Sequence, residues 1–216
     1  MADIFQEVDE EVRREQLKKL WDRYGIHLIV LAVLVIAAVG GWRFYQYWEA
    51  KKSAEAGAQF EQAATLSEQG KHSEAETAFA KIAAEAPAGY RTLARLRAAS
   101  ELANSDVKAA VAAYDQIAAD SSVGLSLQDA ASLRAAMLLV DTAPFSDLRL
   151  RLEPMTEPTR TFRHTAREML ALSAWRNGDA ASAKRYIEMI NNDAETPQGT
   201  RSRIEVLAAL VAGGKS

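Results

Sequence analysis

The residues able to do chemistry in this chain are few and far apart. The three histidines, His27, His72 and His164, are scattered, and none has a second histidine four positions on, so a helical zinc pair is absent. There is no cysteine, which excludes thiol catalysis and thiolate metal sites. No Gly-x-Ser-x-Gly elbow and no glycine-rich phosphate loop occurs. Glu74 and Glu76 stand two apart, on different faces of a helix, and read as solvated surface. The 29 acidic and 26 basic residues are interspersed, leaving a net charge of −3, which does not make a nucleic-acid surface. The chain is therefore not expected to be an enzyme, and neither a cofactor, a metal nor a small-molecule substrate is expected.

Recognition is the chemistry left. Trp175 lies in Leu172-Ser-Ala-Trp-Arg-Asn-Gly178, just before a turn signal. Two readings stand: it packs between neighbouring helices, as aromatics in helical arrays do, or it anchors a partner in a groove.

The elements that must position such a site fall into two parts. From Tyr24 to Trp42 there is no Asp, Glu, Lys or Arg. As a helix this stretch is about 28 Å long, close to a hydrocarbon core of roughly 30 Å. Aromatic and basic residues flank it: Trp21, Arg23 and Tyr24 at one end; Trp42, Arg43 and Trp48, with Phe44, Tyr45 and Tyr47, at the other. Amphipathic rings favour the headgroup zone, and arginines can snorkel outward, so these residues read as interface anchors. Ala38-Val39-Gly40 resembles a signal-peptidase site, but the preceding segment is long and mixed in charge where a signal peptide has a short basic one. A retained anchor over 24–43 is the expectation. His27, inside the first turn of the anchor, reads as an imidazole in the headgroup zone rather than an intramembrane site. Ala37 and Gly41 have small-xxx-small spacing and form a candidate helix-packing face.

Arg13, Arg14, Lys18, Lys19 and Arg23 precede the anchor; Arg43, Lys51 and Lys52 follow it. This bias places the N-terminus in the cytoplasm and the larger part across the membrane, in the periplasm of a Gram-negative cell. Residues 1–23 read as a short amphipathic helix with apolar Phe5, Val8, Val12, Leu17 and Leu20.

Residues 44–216 are rich in Ala, Leu, Glu, Lys and Arg, with strand signals nearly absent, so the fold class is all-α. Helices are expected over about 44–69, 126–140, 144–153, 160–177, 179–191 and 198–212, with a turn at Pro154–Pro158 and a weak point at Gly57. A repeat is visible. Ala75, Phe79 and Ile82 recur as Ala110, Tyr114 and Ile117, each shifted by thirty-five residues and lying on one helical face.

Gly70, Ala75, Phe79 and Pro87 stand at the spacings of the second helix of a tetratricopeptide repeat, and Gly178 and Ala183 repeat the first part, with Ile187 and Ile190 continuing the face. The domain therefore resembles a degenerate tetratricopeptide-like helical-repeat domain. The resemblance implies that first-helix positions facing a groove are Phe60, Arg95, Glu168 and Trp175, the candidate protein-binding residues.

Gly40-Gly-Trp-Arg-Phe-Tyr-Gln-Tyr-Trp48 and Val12-Arg-Arg-Glu-Gln-Leu-Lys-Lys-Leu-Trp-Asp-Arg-Tyr-Gly25 resemble the anchor region of the YfgM-like proteins, ancillary subunits of the bacterial SecYEG translocon. That resemblance implies a cytoplasmic segment, an aromatic-flanked anchor in the inner membrane and a periplasmic repeat domain. It further implies a binding role beside SecYEG, with a PpiD-like periplasmic chaperone as companion, and no catalytic residues. The competing expectation is a scaffold for envelope or division machinery, unconnected with secretion.

Overall fold

The computed structural model describes residues 3–213, with the side chains of residues 3–13, 15–17 and 20 outside the description. The apolar face expected of Phe5, Val8, Val12, Leu17 and Leu20 lies outside the described residues. Among those described there are nine α-helices and no strand. They are α1 (Asp3–Glu68), α2 (His72–Glu85), α3 (Ala88–Leu102), α4 (Val107–Ala118), α5 (Leu125–Leu139), α6 (Phe145–Leu152), α7 (Arg163–Arg176), α8 (Ala180–Asn191) and α9 (Gln198–Gly213). The chain divides into two compact units, Met1–Ala54 and Glu55–Ser216, and α1 contributes to both.

In the first unit the apolar run is bare. Residues from Ile26 to Trp48 are exposed throughout, including Ile36 at 71% and Phe44 at 73%. Among the described residues this is the one helix long and apolar enough to cross a membrane.

The second unit is a stack of helix pairs with three consecutive cores. The end of α1, α2 and α3 enclose the first, with Ala56, Ala63, Ala75, Phe79, Ile82 and Ala94 buried. Ala99, Tyr114, Ile117, Ala131 and Ala135 join α3, α4 and α5 in the second. The third and largest runs from Leu133 of α5 to Val211 of α9. Helix α3 turns Ala94 to one core and Ala99 to the next, and α5 likewise turns Ala135 and Ala136 to different cores. Each layer thus contacts only its neighbours, the arrangement of a solenoid.

The face expected of the repeat is the face that is buried. Ala75, Phe79 and Ile82 of α2 are at most 2% exposed, and Ala110, Tyr114 and Ile117 of α4 at most 3%. In α8, Ala183, Ile187 and Ile190 are buried as expected, and Tyr186 supplies the aromatic one position earlier than in α2 and α4.

Three local expectations are corrected. The Pro154–Pro158 turn is in part a 3₁₀ helix, Glu153–Thr156, with Met155 and Thr156 buried. Helix α7 starts at Arg163 rather than 160, because the Arg160 side chain reaches back to Asp129 of α5 at 2.6 Å and holds that residue in the preceding turn. Gly57 is not a mere weak point. A Cβ there would stand 2.8 Å from the Tyr90 hydroxyl, so its absence lets α3 approach α1.

Candidate functional site

Two glycines set the positions of the first helices in their pairs. Gly70 and Gly178 have φ of +74° and +76°, a left-handed conformation open to glycine at no steric cost. The turns carry the same hydrogen bonds. Lys71 N donates to Leu66 O at 2.9 Å and Asp179 N to Ala174 O at 2.9 Å; Gly70 N donates to Ser67 O and Gly178 N to Trp175 O. The following helix α8 is capped by Asp179, whose carboxylate accepts from Ser182 N at 2.9 Å. The Ser182 side chain first, and this backbone bond second, hold the Asp179 pKa below the ordinary carboxylate value.

The four residues expected to face a groove have different surroundings, and none of them lines either of the two grooves described below. Phe60 is half-buried and packs edge-on against Phe79, with ring centroids 5.0 Å apart, and beside Tyr90 at 6.1 Å. Arg95 donates to Asp120 at 2.6 Å. Asp120 also accepts from Ser122 Oγ at 2.6 Å, and these bonds, Ser122 first, lower its pKa to about 2. Glu168 is buried and accepts from Arg203 of α9 through both oxygens, at 2.5 and 2.8 Å. Trp175 is 42% exposed. Phe60 and Glu168 therefore spend their contacts inside the fold, whereas Trp175 keeps an open face.

Other large apolar side chains are open to solvent on the same two helices: Leu172, one turn before Trp175 on α7, and Val206 and Leu210 of α9. The Arg203–Glu168 pair joins these helices at positions thirty-five residues apart, so Leu210 holds on α9 the place that Trp175 holds on α7. The signal available was that same offset, which carries Gly178 to Gly213 and extends the repeat into residues 198–213.

A second missed cluster fixes α7 to the end of α8. Arg167, 4% exposed, donates to Thr156 O at 2.7 and 3.0 Å and to Asp193 at 2.7 Å. Arg163 and His164 also meet Asp193, at 2.9 and 3.1 Å. The Arg163 bond is the largest influence holding the Asp193 carboxyl well below its usual range. Nothing in local spacing announces this cluster, because its bonded partners lie up to thirty residues apart.

Two shallow grooves border these helices. One, about 550 Å³, is lined by Arg163, Arg167 and Asp193; the other, about 530 Å³, by Arg149, Glu153, Pro154 and Arg185. In the second, Arg185 donates to Glu153 at 2.6 Å, and Tyr186 donates its hydroxyl to the same carboxylate. Burial, then that bond, pushes the Tyr186 hydroxyl well above its ordinary value. Among the described residues no group of three or more His, Cys, Asp or Glu side chains converges.

In the first unit the residues expected at a membrane interface are all exposed: Trp21, Arg23, Tyr24, Trp42, Arg43 and Trp48. The Trp21 ring lies over Gly25, within 3.2 Å of where a Cβ would be. Arg23 sits 5.8 Å from the Tyr24 ring centre, and Lys52 Nζ 3.6 Å from that of Trp48. Ala37 and Gly41 are exposed, with open space beside Gly41.

A stack of helix pairs with recurring glycine turns and a small-aromatic-aliphatic face defines a helical-repeat protein. The chain belongs to the tetratricopeptide repeat-like domain family, whose model matches residues 18–185. No curated protein and no solved structure matches it. A domain of this class is a scaffold for binding other proteins.

Proposed function

We propose that this is a single-span inner-membrane protein whose repeat domain binds proteins beside the SecYEG translocon, with a PpiD-like chaperone as partner. In this reading residues 1–23 are cytoplasmic, 24–43 cross the membrane and 44–216 lie in the periplasm. The observation that carries it is the bare apolar helix between aromatic and basic flanks, in a chain whose other unit is a repeat scaffold. Support for the particular partners is the likeness of residues 12–25 and 40–48 to the YfgM-like anchor region. Confinement to the membrane surface raises the effective concentration of the domain for a membrane partner, so weak contacts suffice. The Ala37–Gly41 face is where a translocon helix would approach. Trp175 is the preferred contact for a client because it alone among the four groove residues combines a large ring with an open face.

The test is co-purification in mild detergent, comparing the full chain with residues 49–216. SecYEG and the chaperone should follow the full chain and not the soluble part. Recovery of neither partner with either form would end the translocon reading.

A further inference from the structure

Just beyond the apolar run, α1 carries rings and cations in successive turns. Arg43, Tyr47 and Lys51 are spaced four apart, and so are Phe44, Trp48 and Lys52, so two neighbouring stripes each follow one face of the helix. All of these side chains are exposed, Tyr47 at 70% and Trp48 at 50%. Side chains of a helix lean toward its N-terminus, which for these residues is toward the apolar run. Lys52 shows the lean: its Nζ lies 3.6 Å from the centre of the Trp48 ring, one turn back. Arg43, Lys51 and Lys52 make no ion pair among the described residues. The carboxylate between them, Glu49, stands about 120° or more round the helix from Arg43 and Lys51. Three cations against one carboxylate leave residues 43–52 with a net charge of +2.

We propose that this stretch of α1 gathers anionic phospholipid around the anchor. Arg43, Lys51 and Lys52 hold the headgroup phosphate, and the Tyr47 and Trp48 rings lie against the glycerol and upper acyl chain. The inference rests on the anchored reading. The dimensions fit it. From Arg43 to Trp48 the helix rises about 7.5 Å, close to the roughly 5–7 Å of one headgroup zone. Lys51 and Lys52 start a turn higher and lean back, Lys52 reaching the Trp48 ring. Charge selects the class of lipid. A zwitterionic headgroup brings its own ammonium to its phosphate and leaves these cations little net attraction. An anionic headgroup has no such internal partner, and each nearby lysine or arginine favours it. Trp42, Phe44, Tyr45, Tyr47 and Trp48 point round most of the helix, which suits a lipid shell better than a single protein groove.

The test uses the full chain with Trp48 as its single tryptophan, made by Trp21→Phe, Trp42→Phe and Trp175→Phe. It is reconstituted in vesicles of phosphatidylcholine containing a minority of phosphatidylglycerol. Bromines are placed on the acyl chains of the phosphatidylglycerol, or of an equal fraction of the phosphatidylcholine, and quenching of Trp48 fluorescence is compared. Brominated phosphatidylglycerol should quench at least about threefold more. Arg43→Gln, Lys51→Gln and Lys52→Gln together should bring the two lipids level; all three positions are exposed, so the thermal melt should not move. Lys51→Arg with Lys52→Arg should keep the preference. Equal quenching by both lipids, as expected of a face kept for a protein partner, overturns the proposal, and so does a preference that survives the triple Gln substitution. The failures are distinguishable. Equal quenching refutes only the selection of headgroup; quenching by neither lipid places Trp48 outside the bilayer and refutes the anchor with it.

Discussion

The first and fourth helix pairs share a turn but not a fastening. Gly70 and Gly178 have the same left-handed backbone and the same closing bonds. Around Gly70, cohesion is apolar. Phe60, Phe79 and Tyr90 stack through a layer of alanines, and one buried carboxylate, Glu101, joins the layers by accepting from Ser67 Oγ and pairing with His72 Nδ1, each at 2.7 Å. Around Gly178, α7 buries every residue from Ala166 to Ala171, including Arg167 and Glu168. Those charges reach α9, the 3₁₀ turn and the α8 terminus. A repeat motif thus specifies how two helices turn; what locks a pair to the next is chosen separately, by shape and one buried carboxylate in one place and by a larger set of charges in the other.

The strongest way to break this comparison is Arg167→Ala. It strands the Thr156 carbonyl and weakens the hold on Asp193, and should cost about 3–5 kcal/mol in urea unfolding of the full chain. A loss below about 1 kcal/mol would make the fourth pair as apolar in its cohesion as the first.

The shared turn predicts equal penalties. Gly70→Ala and Gly178→Ala should each destabilise by about 1 kcal/mol, because the new Cβ is strained at positive φ although space is open at both sites. Unequal losses in thermal melts would show that the turns differ energetically despite matching bonds.

Gly57→Ala sharpens the shape side. The helix gains about 1 kcal/mol from Ala, but the Cβ stands 2.8 Å from the Tyr90 hydroxyl, so the single variant should be neutral or slightly destabilised. With Tyr90→Phe the gain should emerge, as a coupling of about 0.5–1 kcal/mol in a double-mutant cycle. Additive effects would deny the close approach.

The smallest effect is electrostatic. Asp120 titrates at about 2 in the fold because Ser122 and Arg95 donate to it. Its folded pKa lies below the ordinary value of roughly 3.9, so its contribution is complete above about pH 4 and is lost as the pH falls through 2. Asp120→Asn should slightly flatten the acid limb of the stability profile, with no change in slope above pH 5.

Much of the molecule was readable in advance. The helices, the glycine turns and the Ala-Phe-Ile and Ala-Tyr-Ile faces follow from periods of a few residues, which a chain carries locally. The sequence marked Trp175 by its place before Gly178, but not the exposure of Leu172, Val206 and Leu210. Their exposure depends on what fails to cover them. Tyr186 was missed because an aromatic three rather than four positions after the small residue breaks the pattern while keeping the face.

What the sequence by itself determined is the all-α class, the repeat and the apolar helix, since propensity, periodicity and length are properties of short segments. Only the tertiary structure decided that Gly57 is a point of close approach, that Glu168 is spent on Arg203, and that Arg167 and Asp193 meet. The physical reason is common to all three. A side chain's partner across the fold is selected by the packing of whole helices, not by the residues beside it in the chain.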